Sequence, residues 1–70
     1  MTTGTVKWFN SQKGFGFIAL DDGGNDAFVH ISAVERAGIA NLQEGQKVGF
    51  ELLSDRKSGK MAAENLKILG

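Results

Sequence analysis

Seventy residues make one domain, residues 1–70, near the lower size limit for a chain that folds unaided. The eight Lys and Arg balance the eight Asp and Glu to a formal net charge of zero, so the bulk positive charge usual in phosphate-neutralising proteins is excluded. With no cysteine there is no disulfide staple, and with one histidine there is no Cys/His zinc site, so a small apolar core must supply a stability on the order of 5 kcal/mol or less.

A first strand is expected from about Thr5 to Phe9, stopping at Asn10-Ser11-Gln12. Strict alternation there pairs Val6 with Trp8 and Lys7 with Phe9, so Trp8 and Phe9 share a face only if a bulge or strong twist swings one round; otherwise one of the two is core. The second strand runs from about Phe15 to Leu20 and ends at Asp21-Asp22-Gly23-Gly24-Asn25, a turn by its chemistry. The third, Ala27 to Ile31, sets Phe28 and His30 on one face and Ala27, Val29 and Ile31 on the other. In the segment from Ser32 to Gln43, Ser32-Ala33-Val34-Glu35 reads as one helical turn capped by Ser32. After the Glu44-Gly45-Gln46 turn, a fourth strand spans Lys47 to Leu53 with Val48, Phe50 and Leu52 inward. A charged loop, Ser54 to Lys60, leads to a last strand of about Met61 to Leu69, whose imperfect alternation leaves its register open. Five short strands without a crossover helix predict an all-β fold: a closed or nearly closed antiparallel barrel.

Five of the six aromatic residues fall between positions 8 and 28: Trp8, Phe9, Phe15, Phe17 and Phe28. In Lys13-Gly14-Phe15-Gly16-Phe17-Ile18, residues two apart project together, so Lys13, Phe15 and Phe17 share a face. Phenylalanine is most often buried, and Phe50 is assigned to the core on that basis. Phe15, Phe17 and Phe28 are assigned to the surface, because Ile18, Leu20, Val29 and Ile31 already supply an inner face. Trp8 stands between the two assignments. A surface row of rings beside a lysine is what unpaired nucleic-acid bases stack on. Few phosphate contacts are available, so stacking must carry the affinity and the salt dependence should be weak.

Lys13 to Ile18 also matches the opening of the ribonucleoprotein motif of RNA-recognition domains, basic-Gly-aromatic-Gly-aromatic-aliphatic. In that fold the partner aromatic strand precedes the motif and two helices pack behind the sheet. Here the partner Ala27-Phe28-Val29-His30-Ile31 follows it. That order, with Lys7-Trp8-Phe9-Asn10 in front and Glu44-Gly45-Gln46 behind, resembles the bacterial cold-shock protein family over almost the whole chain.

The resemblance implies a five-stranded antiparallel oligonucleotide-binding (OB) barrel that grips single-stranded RNA or DNA. Trp8, Phe9, Phe15, Phe17, Phe28 and His30 would stack on bases, Lys7 and Lys13 would meet phosphates, and Asn10 and Asp26 would hydrogen-bond base edges. Three positions depart from the family pattern: Ile31 stands where a further Phe is usual, Ile39 where another aromatic is frequent, and Gly59-Lys60 where Gly-Pro is common. Ile31 and Ile39 offer aliphatic packing in place of a ring face, and Lys60 returns some electrostatic grip. The implied role is an RNA chaperone that works without ATP, keeps transcripts unpaired for translation or weakens terminator hairpins, and serves cold adaptation. A monomer in the cytoplasm is expected, with low sequence selectivity, a pyrimidine-rich preference, and no cofactor, metal or membrane partner. Met1-Thr2-Thr3-Gly4 has no basic start or apolar stretch of a secretory signal, and no apolar run reaches membrane-spanning length.

Other motifs carry less. Gly14-x-Gly16-x-x-Ala19 fits the dinucleotide fingerprint formally, but no βαβ unit surrounds it. The acidic turn Asp21 to Asp26 lacks the alternating ligand spacing and distal glutamate of a calcium loop. Four strand residues, about 13 Å, separate His30 from Asp26, too far for an acid–base pair along the strand. Arg56-Lys57-Ser58-Gly59-Lys60 is a basic cluster that reads equally as a solvated loop or a phosphate contact. No Gly-Lys-Ser/Thr phosphate loop exists. The rival readings are an OB module for protein or oligosaccharide, which would leave Trp8 fluorescence indifferent to oligonucleotides, and a nuclease, for which no carboxylate cluster exists outside one turn.

Overall fold

Val6, Ile18, Val29, Val48 and Phe50, the inward positions of four strands, converge with Ala63 and Leu66 of a fifth on one dry core that contains no polar side chain among the described residues. The computed structural model describes residues 2–24, 26–54 and 61–69. The elements follow in the order β1 (Thr2–Asn10), β2 (Phe15–Leu20), β3 (Ala27–His30), α1 (Ile31–Arg36), β4 (Lys47–Ser54) and β5 (Met61–Ile68).

The strands close into a barrel in the order β1-β2-β3-β5-β4, with β4 returning to β1. The fold is thus the expected all-β, five-stranded OB-type barrel. One seam differs from a purely antiparallel arrangement: β3 meets β5 in parallel, with Phe28 opposite Ala62. Strand β1 begins earlier than alternation predicts, because Thr2 to Thr5 pair with Phe50 to Lys47 of β4, a partnership that local pattern does not announce.

Two register shifts decide which side chains face out. Val6 pairs with Ile18, but the next pair is Trp8 with Phe17, so Lys7 is an extra residue on β1. This bulge sets Trp8 on the outer face beside Phe17 and turns Phe9 over Gly16, where it packs against the core. Trp8 and Phe9 therefore do not share a face. The approach of the two backbones requires glycine: a Cβ at Gly16 would lie 2.8 Å from Phe9 Cα. The second shift separates Gly49↔Lys67 from Glu51↔Glu64, so two steps on β4 face three on β5. Asn65 takes up the extra residue with φ 52°, a left-handed conformation that asparagine tolerates better than most side chains. Ala63 and Leu66, three apart, both reach the core in consequence, which accounts for the broken alternation of this strand.

Strand β3 ends at His30, one residue short of the expected end. Ile31 does not continue the inner row. Its N–H donates to Gly14 O (2.8 Å) and it opens α1, which buries Ala33 and Val34. The cap is His30 and not Ser32: His30 Nδ1 accepts the Ser32 N–H at 3.1 Å. Lys13 lies in the turn before β2 and so does not belong to the strand row of Phe15 and Phe17.

Candidate nucleic-acid interface

The cross-strand register builds the outer face of β1, β2 and β3. Trp8 stands opposite Phe17, Phe17 opposite Phe28, Asn10 opposite Phe15, and Phe15 opposite His30. Directly opposed residues project to one side of a sheet, so five rings converge there. Trp8 lies 5.6 Å from Phe15 and 5.4 Å from Phe17, centroid to centroid. Phe28 lies 5.7 Å from Phe15 at an interplanar angle of 27° and 5.8 Å from Phe17, and His30 extends the row 6.4 Å beyond Phe28. Phe15, Phe17 and Phe28 are half-buried and lie outside the core; Trp8 is 40% exposed. Mutual edge-to-face, tilted and stacked packing, worth about 0.5–1.5 kcal/mol per pair, holds the rings in place while leaving each partly open to solvent.

Polar groups at the margins of this patch are partly committed to one another. Lys7 Nζ meets Asp26 Oδ2 at 3.0 Å, an exposed ion pair worth about 0–1 kcal/mol, so an arriving phosphate competes with little. Asn10 Oδ1 accepts the backbone N–H groups of Gln12 (2.9 Å) and Lys13 (3.1 Å), shaping the turn into β2 and leaving the Asn10 amide nitrogen unengaged among the described residues. The Lys13 side chain is exposed at that turn. His30 Nδ1, held by the Ser32 N–H and 3.0 Å from Ser32 Oγ, is an acceptor; the proton of the neutral ring then sits on Nε2.

The second ion pair, Lys47 Nζ to Asp21 Oδ1 at 2.7 Å, fastens the end of β2 to β4, and Thr3 Oγ1 donates to Asp21 Oδ2 at 2.8 Å. The Lys47 and then the Thr3 hydrogen bond hold the Asp21 carboxyl below its ordinary value of 3.8.

Not every candidate joins the ring row. Phe9 and Ile39 are half-buried against the core, and Ile31 is half-buried at the start of α1. Lys60, like Arg56 and Lys57, lies outside the described residues. Four residues absent from the candidates sit beside the row instead. A cleft of about 380 Å³ is lined by Phe28 and His30 together with Leu53, Ser54, Ala62 and Glu64. Its signal in the chain was Leu53: adjacent to the inward Leu52, it must face outward, and it is 51% exposed. Among the described residues no group of three His, Asp or Glu is placed to hold a metal ion, and no helix is long and apolar enough to cross a membrane.

Comparison with known proteins matches residues 2–69 to the family model of the 'Cold-shock' DNA-binding domain. The chain is 69% identical over 67 residues to the probable cold shock protein y4cH of Sinorhizobium fredii, covering 96% of this chain and 97% of that one. It is 64% identical over 67 residues to the cold shock protein CspA of Rhizobium meliloti, with the same coverage of 96% and 97%. The cold shock-like protein CspA of Rickettsia bellii is 56% identical over 71 residues, covering 97% of this chain and 99% of that one.

Proposed function

The chain belongs to the cold-shock domain family, whose members bind nucleic acid and are not enzymes, and on that premise we propose that it is a cytoplasmic, monomeric, single-strand RNA and DNA binder acting as an ATP-independent RNA chaperone. The observation that carries the proposal is the unbroken row of Trp8, Phe17, Phe15, Phe28 and His30 on a protein without net positive charge. Single-stranded bases expose flat faces that such rings take up; a duplex hides them.

Stacking on an aromatic side chain is worth about 1–3 kcal/mol per base. One duplex step is worth roughly 1.4 kcal/mol. A few captured bases therefore hold a transiently opened stem apart by mass action, with no nucleotide hydrolysed. Selectivity is low because every base has a flat face, with a pyrimidine-rich preference overall. Kept unpaired in this way, transcripts stay open to translation and terminator hairpins weaken, which matters most in the cold, where hairpins are most stable.

Titration with oligouridine and with a matched duplex, following Trp8 emission at two salt concentrations, tests this. The single strand should quench Trp8 and bind more tightly than the duplex, and its affinity should fall only modestly with salt. Emission indifferent to every oligonucleotide would instead favour a barrel that binds protein or oligosaccharide.

A further inference from the structure

We propose that the cleft between Phe28 and Leu53 is a base-reading subsite that selects guanine, with the Glu64 carboxylate as the selecting group. This inference rests on the single-strand reading above and adds a specificity to one end of the same surface.

The shape of the cleft follows from register. Phe28 of β3 stands opposite Ala62 of β5, and Ala62 stands opposite Leu53 of β4, so the three side chains share the outer face. A methyl group between a phenyl ring and a leucine leaves a trough with two apolar walls and a shallow floor. Its volume of about 380 Å³ lies within the range of small-molecule sites, about 300–1,000 Å³. The trough continues the ring row at Phe28 and His30, so a strand laid along the rings delivers a base into it.

The chemistry comes from its polar lining. Glu64 is half-buried and lines the cleft, and it stands directly opposite Glu51 across the β4–β5 seam. Two opposed carboxylates are an unfavourable pair that a donor-rich ligand relieves. A carboxylate only accepts hydrogen bonds. Uracil offers it one N–H flanked by two carbonyl oxygens that repel it. Cytosine and adenine each offer one amino group beside a ring acceptor. Guanine alone presents two adjacent donors, N1–H and the 2-amino group, which match the two carboxylate oxygens as a pair of parallel charge-assisted hydrogen bonds. His30 adds the complementary group: with Nδ1 engaged by Ser32, its Nε2–H is left to donate to the guanine carbonyl.

The experiment uses Trp8 quenching with the intact chain and heptauridine as the reference ligand for each protein. A single guanosine is placed in turn at each position of the heptamer, then replaced at the best position by inosine, which keeps N1–H and the ring but lacks the 2-amino group. The best single-guanosine heptamer should bind about tenfold tighter than heptauridine. Inosine should lose most of that gain, and in E64Q the ratio of guanosine heptamer to heptauridine should fall to about twofold or less. The proposal is overturned if heptauridine binds but no position prefers guanosine, if inosine equals guanosine, or if E64Q keeps the full ratio. Failure of every oligonucleotide to quench Trp8 would remove the single-strand reading and the subsite together. The inosine arm needs no altered protein, so the outcome does not depend on how E64Q folds.

Discussion

The outer face of β1–β2–β3 and the outer face of β4–β5 cover the same core, yet they carry opposite chemistry. The first is aromatic, with Lys7 at its margin already paired to Asp26. The second is aliphatic and acidic, with Leu53 exposed beside Ala62 and Glu51 opposed to Glu64. Inside the barrel the two halves are alike, apolar and dry. A small barrel constrains its inner positions to fill volume, while outward positions are free to be shaped by what they touch. Phenylalanine shows the division within one residue type. Phe50 is fully buried, whereas Phe15, Phe17 and Phe28 lie on the outer side.

Substituting across that division should separate stability from binding. The largest effect is expected from Phe50→Ala, which empties the core: a loss of about 3–5 kcal/mol is comparable to the whole stability of so small a domain. Circular dichroism should find this variant largely unfolded at 25 °C. Phe15→Ala and Phe28→Ala should each weaken oligouridine binding by about 1–3 kcal/mol while the β-sheet spectrum and a cooperative urea transition persist. If either of them unfolds the domain as Phe50→Ala does, the contrast between inner and outer rings fails.

A smaller effect tests the second face. Asn65→Ala places a residue without asparagine's tolerance at φ 52° and should lower stability by about 1 kcal/mol in urea melts, whereas Asn65→Gly should not. Equal losses in both would mean that the asparagine side chain, and not its backbone conformation, holds the β5 bulge.

The smallest effect concerns acid. Asp21 is held below its ordinary value by Lys47 and Thr3, so its contribution to stability is complete above about pH 4 and declines as pH falls below 3.8 through the lowered folded value. Asp21→Asn should remove that part of the acid sensitivity, giving a shallower loss of stability between neutral and acid pH. An unchanged slope would show that the Asp21 pairs, both exposed, contribute nothing measurable.

The number of strands, the three outward phenylalanines and the inward Val48-Phe50-Leu52 row are legible in the chain, because period-two alternation reports which side of a strand a residue takes. Bulges interrupt that period without a marker of their own. The Lys7 bulge puts Trp8 outward and Phe9 inward, the reverse of strict alternation from the inward Val6, and local pattern allowed either one to face outward or both. The Asn65 bulge carries Ala63 and Leu66 inward three residues apart, and no uniform register accommodates both. His30 read as a stacking residue from the family resemblance, but its capping of α1 depended on where β3 ended.

From its residues alone, the chain determined a small barrel with an aromatic surface row, since alternation and composition act over a few neighbouring positions. Tertiary structure decided the parallel β3–β5 seam, the turning of Phe9 toward the core, and the cleft that sets Ala62 between Phe28 and Leu53. The seam and the cleft bring Phe28 to Ala62 and Leu53, far along the chain, and only closure of the barrel, which pairs every strand at once, chooses which distant neighbours meet.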